Sequence, residues 1–125
     1  MAKTGKIQEF EDLIAWQKSK KLSVMVYHCT ETGQFSRDFA LKDQIRRAVI
    51  SVMSNIAEGF ERHSPKEFQH FLSIARGSAA EVRSQIQLAV ELGYINEIES
   101  RDIMYLCVEL RRIIGGLRSS LNIYI

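Results

Sequence analysis

Proline is nearly missing from this chain: Pro65 is the only one among 125 residues, where average usage of about 5% would give roughly six. That scarcity, together with few strong turn signals, excludes an all-β chain and points to long uninterrupted helices. Cysteine is scarce too. Cys29 and Cys107 are too few to staple a chain of this size and lack metal-ligand spacing, so both are expected to be small core residues in a reducing compartment. No apolar run approaches the roughly 20 residues of a membrane span. The stretch from Met1 to Glu11 is polar, without the apolar centre of a secretory signal, which makes a cytoplasmic location away from membranes the expectation. Charge of one sign is not in excess either, since 17 Lys and Arg meet 15 Asp and Glu for a formal net charge of +2. Any attraction to nucleic acid must therefore come from charge placement rather than bulk charge.

What is present is the material of one folded domain. Hydrophobic residues make up 46% and charged residues 26% of the chain, and this length leaves no room for a second domain. Four helices are predicted, over about 11–32, 37–62, 65–92 and 97–121, each ending where helix-stopping residues occur. Gly33 is read as the stop of the first. On the second, Leu41, Ile45, Ala48, Val52, Ile56 and Phe60 recur at spacings of three and four, the mark of one buried face. Ser64-Pro65-Lys66-Glu67 supplies an N-cap serine, a proline at the first helical position and a glutamate at N3, a capping box that starts the third helix. Phe68, Leu72, Ala75, Ala79, Val82 and Ile86 continue that helix to Gly93, and Asn96 with Glu99 opens the last. Short connections between helices of similar length predict an all-α, up-down-up-down four-helix bundle. Gly115-Gly116 interrupts the last pattern, through fraying or through close approach of another backbone.

These helices carry more apolar surface than one bundle interior needs. Phe39, Ile50, Met53 and Ala57 form a patch well round from the main stripe of the second helix, and Ile74, Leu88 and Leu92 do the same on the third. Met104 and Val108 repeat the arrangement on the fourth. Secondary stripes of this kind predict contact with identical copies in a ring or other symmetric oligomer. Polar Asn55, Glu58, Ser78 and Glu81 lie on or beside these faces, where an unpartnered group costs on the order of 1 to 3 kcal/mol. They are read as structural or interface residues that bond to each other or to a neighbouring subunit.

A metal-dependent bundle enzyme is left only as a remote alternative. Glu67 and His70 have the Glu-x-x-His spacing of di-metal bundle proteins, but neither His28 nor His63 supplies the second copy such a site needs, and both side chains should face outward. No serine or cysteine has a histidine placed by a recognisable signature, and no glycine-rich phosphate loop follows a strand. The expectation is a non-enzyme with no cofactor, no metal and no small-molecule substrate. Basic residues remain. Arg76 and Arg83 are seven apart on one flank of the third helix, Arg111 and Arg118 seven apart on the matching flank of the fourth, and Lys42 and Arg46 stack one turn apart on the second. The four arginines line either one groove or two, and with few aromatics nearby they suit phosphate contacts better than base stacking.

Several motifs together resemble a known family. Phe10-Glu11-Asp12-Leu13 with Ala15-Trp16-Gln17, Gln44-Ile45-Arg46-Arg47-Ala48, Ser54-Asn55-Ile56-Ala57-Glu58-Gly59, Ile74-Ala75-Arg76-Gly77-Ser78 with Glu81, and Leu92-Gly93-Tyr94-Ile95 are similar to the bacterial four-helix bundle family of 23S rRNA intervening-sequence proteins. The resemblance runs from about Phe10 to Leu121. It implies a cytoplasmic bundle that forms ring-like homopentamers, with related accessory proteins of diversity-generating retroelements binding a reverse transcriptase and nucleic acid. It transfers no catalytic residue, and it leaves an adaptor for another protein, without nucleic acid, as the alternative role.

Overall fold

The computed structural model describes residues 6–121, so most of the polar stretch read for a signal at Met1–Glu11 is included but residues 1–5 lie outside it. A 3-10 turn at Phe10–Asp12 leads into α1 (Ile14–Cys29), a short α2 (Gly33–Arg37), α3 (Phe39–Glu61), α4 (Pro65–Glu91) and α5 (Glu97–Ser120), and no strand occurs among the described residues. The four long helices sit at the corners of a square, with α3 packed on α1 and α4, and α5 packed on α4 and α1. Side-chain pairs give their directions. Ser23 of α1 meets Val49 of α3, whereas Thr30, farther along, meets Arg46, so the two helices run antiparallel. Ser51 on Ser78 and Gln44 on Glu81 show the same for α3 and α4.

Local chemistry sets most of the helix ends. The Ser64 hydroxyl accepts from the Glu67 N–H at 3.3 Å, with Pro65 at the first position, and Asn96 accepts from the Glu99 N–H at 2.8 Å. Glu67 completes the box differently from expectation, because its carboxylate turns to Arg62 at 3.6 Å. Gly93 takes φ +76° and lets the Tyr94 N–H reach the Ala89 carbonyl at 2.9 Å while its own N–H reaches Val90 at 2.9 Å. These two bonds absorb the last carbonyls of α4 in a left-handed cap.

The first quarter of the chain departs from the single helix predicted over 11–32. The Asp12 carboxylate accepts the N–H groups of Gln8 and Glu9, both at 3.0 Å, which draws the chain into the 3-10 turn, and Leu13 is extended before α1 begins. Leu13 and Ala15 face inward while Ile14 is exposed. At the far end Arg46 donates to Thr30 Oγ1 at 2.9 Å and to the Tyr27 carbonyl at 3.3 Å. Those bonds occupy groups at the end of α1, which stops at Cys29, well before Gly33. Gly33, at φ +69°, opens α2 rather than closing α1. That fifth helix exists because Phe35 is fully buried, its ring centroid 5.4 Å from that of Tyr94.

Inside the square, Leu22, Val26, Ile45, Val52, Leu72, Ile86, Leu110 and Ile114 are fully buried. At one end of the α3–α4 seam the backbones come close together, and a Cβ on Gly59 would lie 2.6 Å from Phe71 Cβ. The Gly115-Gly116 pair neither frays nor meets a backbone. α5 passes through both to Ser120, and what crosses Gly115 is the guanidinium of Arg76, whose Cζ would sit 3.7 Å from an added Cβ.

Candidate functional site

The α3–α4 seam is held by a polar network. Ser51 and Ser78 share a hydrogen bond of 2.8 Å, and Asn55 Nδ2 donates to the Ser51 carbonyl at 2.8 Å and to its hydroxyl at 3.0 Å. One turn or more away, Gln44 and Gln85 both donate to Glu81 Oε2, at 3.0 and 3.1 Å. Asn55, Ser78 and Glu81 thus find their partners within one chain, where a satisfied network fixes the register of two helices. Glu58 stands apart from them, exposed and paired with Arg62 at 3.3 Å.

The apolar residues read as oligomer contacts are mostly on the outside. Phe39 is 68% and Leu88 49% exposed, and Ile50, Ile74 and Leu92 are exposed as well. Met53 is different. It is half-buried, and its sulfur accepts from Ser23 Oγ at 3.5 Å, so it belongs to the α1–α3 seam rather than to the outer patch. The sequence reading missed Ile98 and Tyr105 on the outer face of α5, although Tyr105 is 73% exposed. Their seven-residue spacing, continued by Arg112, was the available signal. Arg101, Met104, Tyr105, Val108 and Arg112 line a shallow groove there.

The six basic residues divide into two places. Arg76, Arg83, Arg111 and Arg118 line one groove between α4 and α5, of about 500 Å³, together with Ser73, Gly77 and Ala80. Antiparallel packing rotates the two arginine-bearing flanks toward each other, which the spacing alone left open. Arg118 Nε donates to Ser73 Oγ at 2.7 Å, and its carbonyl accepts from Gln69 at 3.1 Å. Arg83 Nε is shielded from solvent without an acceptor. Among the described residues the ion pairs join Lys18 to Glu109, His28 to Glu31, and Arg62 to Glu58 and Glu67, and none engages the four groove arginines. Lys42 and Arg46 lie elsewhere. Lys42 sits over the Phe39 ring at 6.0 Å, and Arg46 caps α1 while stacking on Tyr27 at 4.2 Å.

Glu67 and His70 are both exposed, and no three His, Cys, Asp or Glu side chains converge on a metal position among the described residues. Burial pushes the Cys107 thiol up to about 12 and the half-buried Cys29 thiol up to about 11, with the Glu99 carboxylate adding to the latter. Thiols held so far from ionisation are poor nucleophiles. No helix among the described residues is long and apolar enough to cross a membrane.

Against this geometry, the family model of the 23S rRNA-intervening sequence protein matches residues 11–116, nearly the whole described chain. The chain belongs to that family. A solved structure of similar shape is a protein of unknown function from the S23 ribosomal protein family of Bacteroides thetaiotaomicron VPI-5482. It is 23% identical, with a TM-score of 0.77, and the likeness covers 84% of this chain and 98% of that one. At that identity the likeness establishes a shared fold alone. None of the curated proteins matches significantly. Of the motifs that pointed to the 23S rRNA-intervening sequence family, Gly59 lies at the close approach of α3 and α4 and Asn55, Ser78 and Glu81 in the network between them, whereas Glu58 pairs with Arg62 and Gly77 lines the α4–α5 groove.

Proposed function

We propose that this protein is a non-enzymatic, homo-oligomeric scaffold or adaptor of the cytoplasm, assembled as a ring-like pentamer, that contacts RNA or a nucleic-acid-processing partner such as a reverse transcriptase through its basic surface. The observation that carries the reading is the exposure of Phe39, Ile50, Ile74, Leu88 and Leu92 on α3 and α4 around an interior that is already closed. Large apolar side chains grouped on outer helix faces, beyond the scattered few of any surface, mark a face that another molecule covers. A second copy suits it, because closed symmetry repeats the same contact for every subunit.

Light scattering at micromolar concentration tests this directly. The expected result is one species several times the monomer mass, shifted toward monomer by Leu88→Asp or Ile50→Asp, whose side chains are exposed and carry little of the chain's own fold. A monodisperse monomer refutes the assembly. The face of α5 bearing Tyr105, Met104 and Arg112 favours a second reading, an adaptor for another protein without nucleic acid, since Tyr, Met and Arg are the residue types enriched at protein interfaces.

A further inference from the structure

We infer that the α4–α5 groove is a phosphodiester-binding site: it takes a strand of nucleic acid by its phosphates, without reading its bases. The inference deepens the RNA-contacting reading above and rests on it. Four guanidinium groups surround one groove. Among the described residues no carboxylate pairs with any of them, and Arg83 Nε lacks an acceptor. Concentrated like charge with no counter-charge of its own is completed by an anion, and a concave wall focuses its field.

The order of the cations along the groove suits a polyanion better than a single small ion. Arg118 touches Ser73 and Arg76 lies over Gly115, so antiparallel register places the charges in the sequence Arg118, Arg76, Arg111, Arg83, alternating between the helices. At about 1.5 Å per residue the row extends over about 15 Å, longer than any single small anion. The floor is bare. Gly77 is exposed in mid-helix and nothing lies within 4 Å of the Cβ it lacks, so the chain's own packing does not require a glycine there. Among the described residues no aromatic side chain lines the groove, which leaves contacts that position a strand without specifying its sequence.

The test is fluorescence anisotropy with a labelled octauridylate and a labelled octathymidylate, titrated between 50 and 200 mM salt, with light scattering on every sample. Four contacts to a single strand predict a log–log salt slope of about −3, a loss of about 50-fold across that range. In Arg76→Gln/Arg111→Gln the slope should halve. Gly77→Met keeps every charge but fills the floor, and it should weaken binding at least tenfold with secondary structure and mass unchanged. The RNA and DNA strands should bind within about threefold of each other. No binding at 50 mM by protein of unchanged mass overturns the site, as does an unaltered slope in the double variant or unaltered affinity in Gly77→Met. Competition by polyglutamate as effective as that by the oligonucleotide assigns the groove to an acidic protein and overturns it too. A monomer that binds with the expected slope removes the assembly and leaves the site standing.

Discussion

Replacing Gly59 with alanine puts the packing of α3 on α4 to the sharpest test. An alanine Cβ there would stand 2.6 Å from Phe71 Cβ and 3.0 Å from Phe68 Cδ1, where carbon atoms rest comfortably at about 3.5 to 4.0 Å. The shortfall is about 1 Å. Phe71 Cβ is one bond from the α4 backbone and cannot rotate away, and Phe68 is buried edge-on against Phe60 with ring centroids 6.0 Å apart, so α4 itself has to move. Overpacking of this kind costs about 1 to 3 kcal/mol, against a gain of up to about 1 kcal/mol from replacing a helical glycine, here in the last turn of α3. The net expectation is a loss of up to about 3 kcal/mol. Gly116→Ala is the matched control, because it too lies within a long helix, yet nothing lies within 4 Å of its missing Cβ; it should gain about 0.5 to 1 kcal/mol. Urea denaturation at one fixed protein concentration measures both, with an unchanged m-value showing that the same surface is exposed. If the two variants move the midpoint the same way by similar amounts, the close approach at Gly59 is not what the structure says it is.

Two further measurements address the chemistry of single side chains. The Tyr94 hydroxyl donates to Asp38 Oδ2 at 2.9 Å, and this bond raises its pKa above the ordinary 10. A raised value means that the contribution to stability is complete below pH about 10 and lost as pH rises through the higher folded value. Tyr94→Phe should therefore lower stability at pH 7 and flatten its fall in alkaline solution, as followed by denaturation at stepped pH; an unchanged alkaline slope would show that the bond does not form. For the cysteines, a Cys29 thiol pushed up to about 11 and a Cys107 thiol pushed up to about 12 leave on the order of one thiolate in a thousand or fewer at pH 8. A thiol-exchange reagent should label the native protein slowly, Cys29 before Cys107, and label both at once in denaturant. Rapid stoichiometric reaction of the folded protein would contradict that burial.

The outward surfaces and the interior make separate demands on the same helices. Within the seam, Ser51, Asn55 and Ser78 are satisfied by one another, so they hold α3 and α4 in register without help from a second subunit. Phe39, Ile50 and Leu88 remain exposed. The same contrast separates Arg46, whose guanidinium is engaged by Thr30 and Tyr27, from the groove arginines, which meet no carboxylate of their own among the described residues. Residues of one type on neighbouring helices thus divide between holding the fold and facing outward according to which groups the packing brings within reach.

Read alone, the sequence determines the helical class, the four long segments and most of their ends, because caps such as Ser64, Asn96 and Gly93 act on backbone groups only a few residues away. The inward stripes follow from spacing for the same reason. Tertiary structure decides what depends on the rotation and register of one helix against another. Phe35 becomes core, and α2 forms around it, only because Tyr94 is folded back to meet it. Arg76, Arg83, Arg111 and Arg118 share a groove only because two flanks, equivalent in sequence, turn toward each other, and Arg46 leaves the basic set only because the end of α1 lies beside it. Hydrogen bonds within a turn are legible in a string of residues; contacts between helices depend on the relative positions of segments far apart along the chain, and those positions exist only once the core has packed.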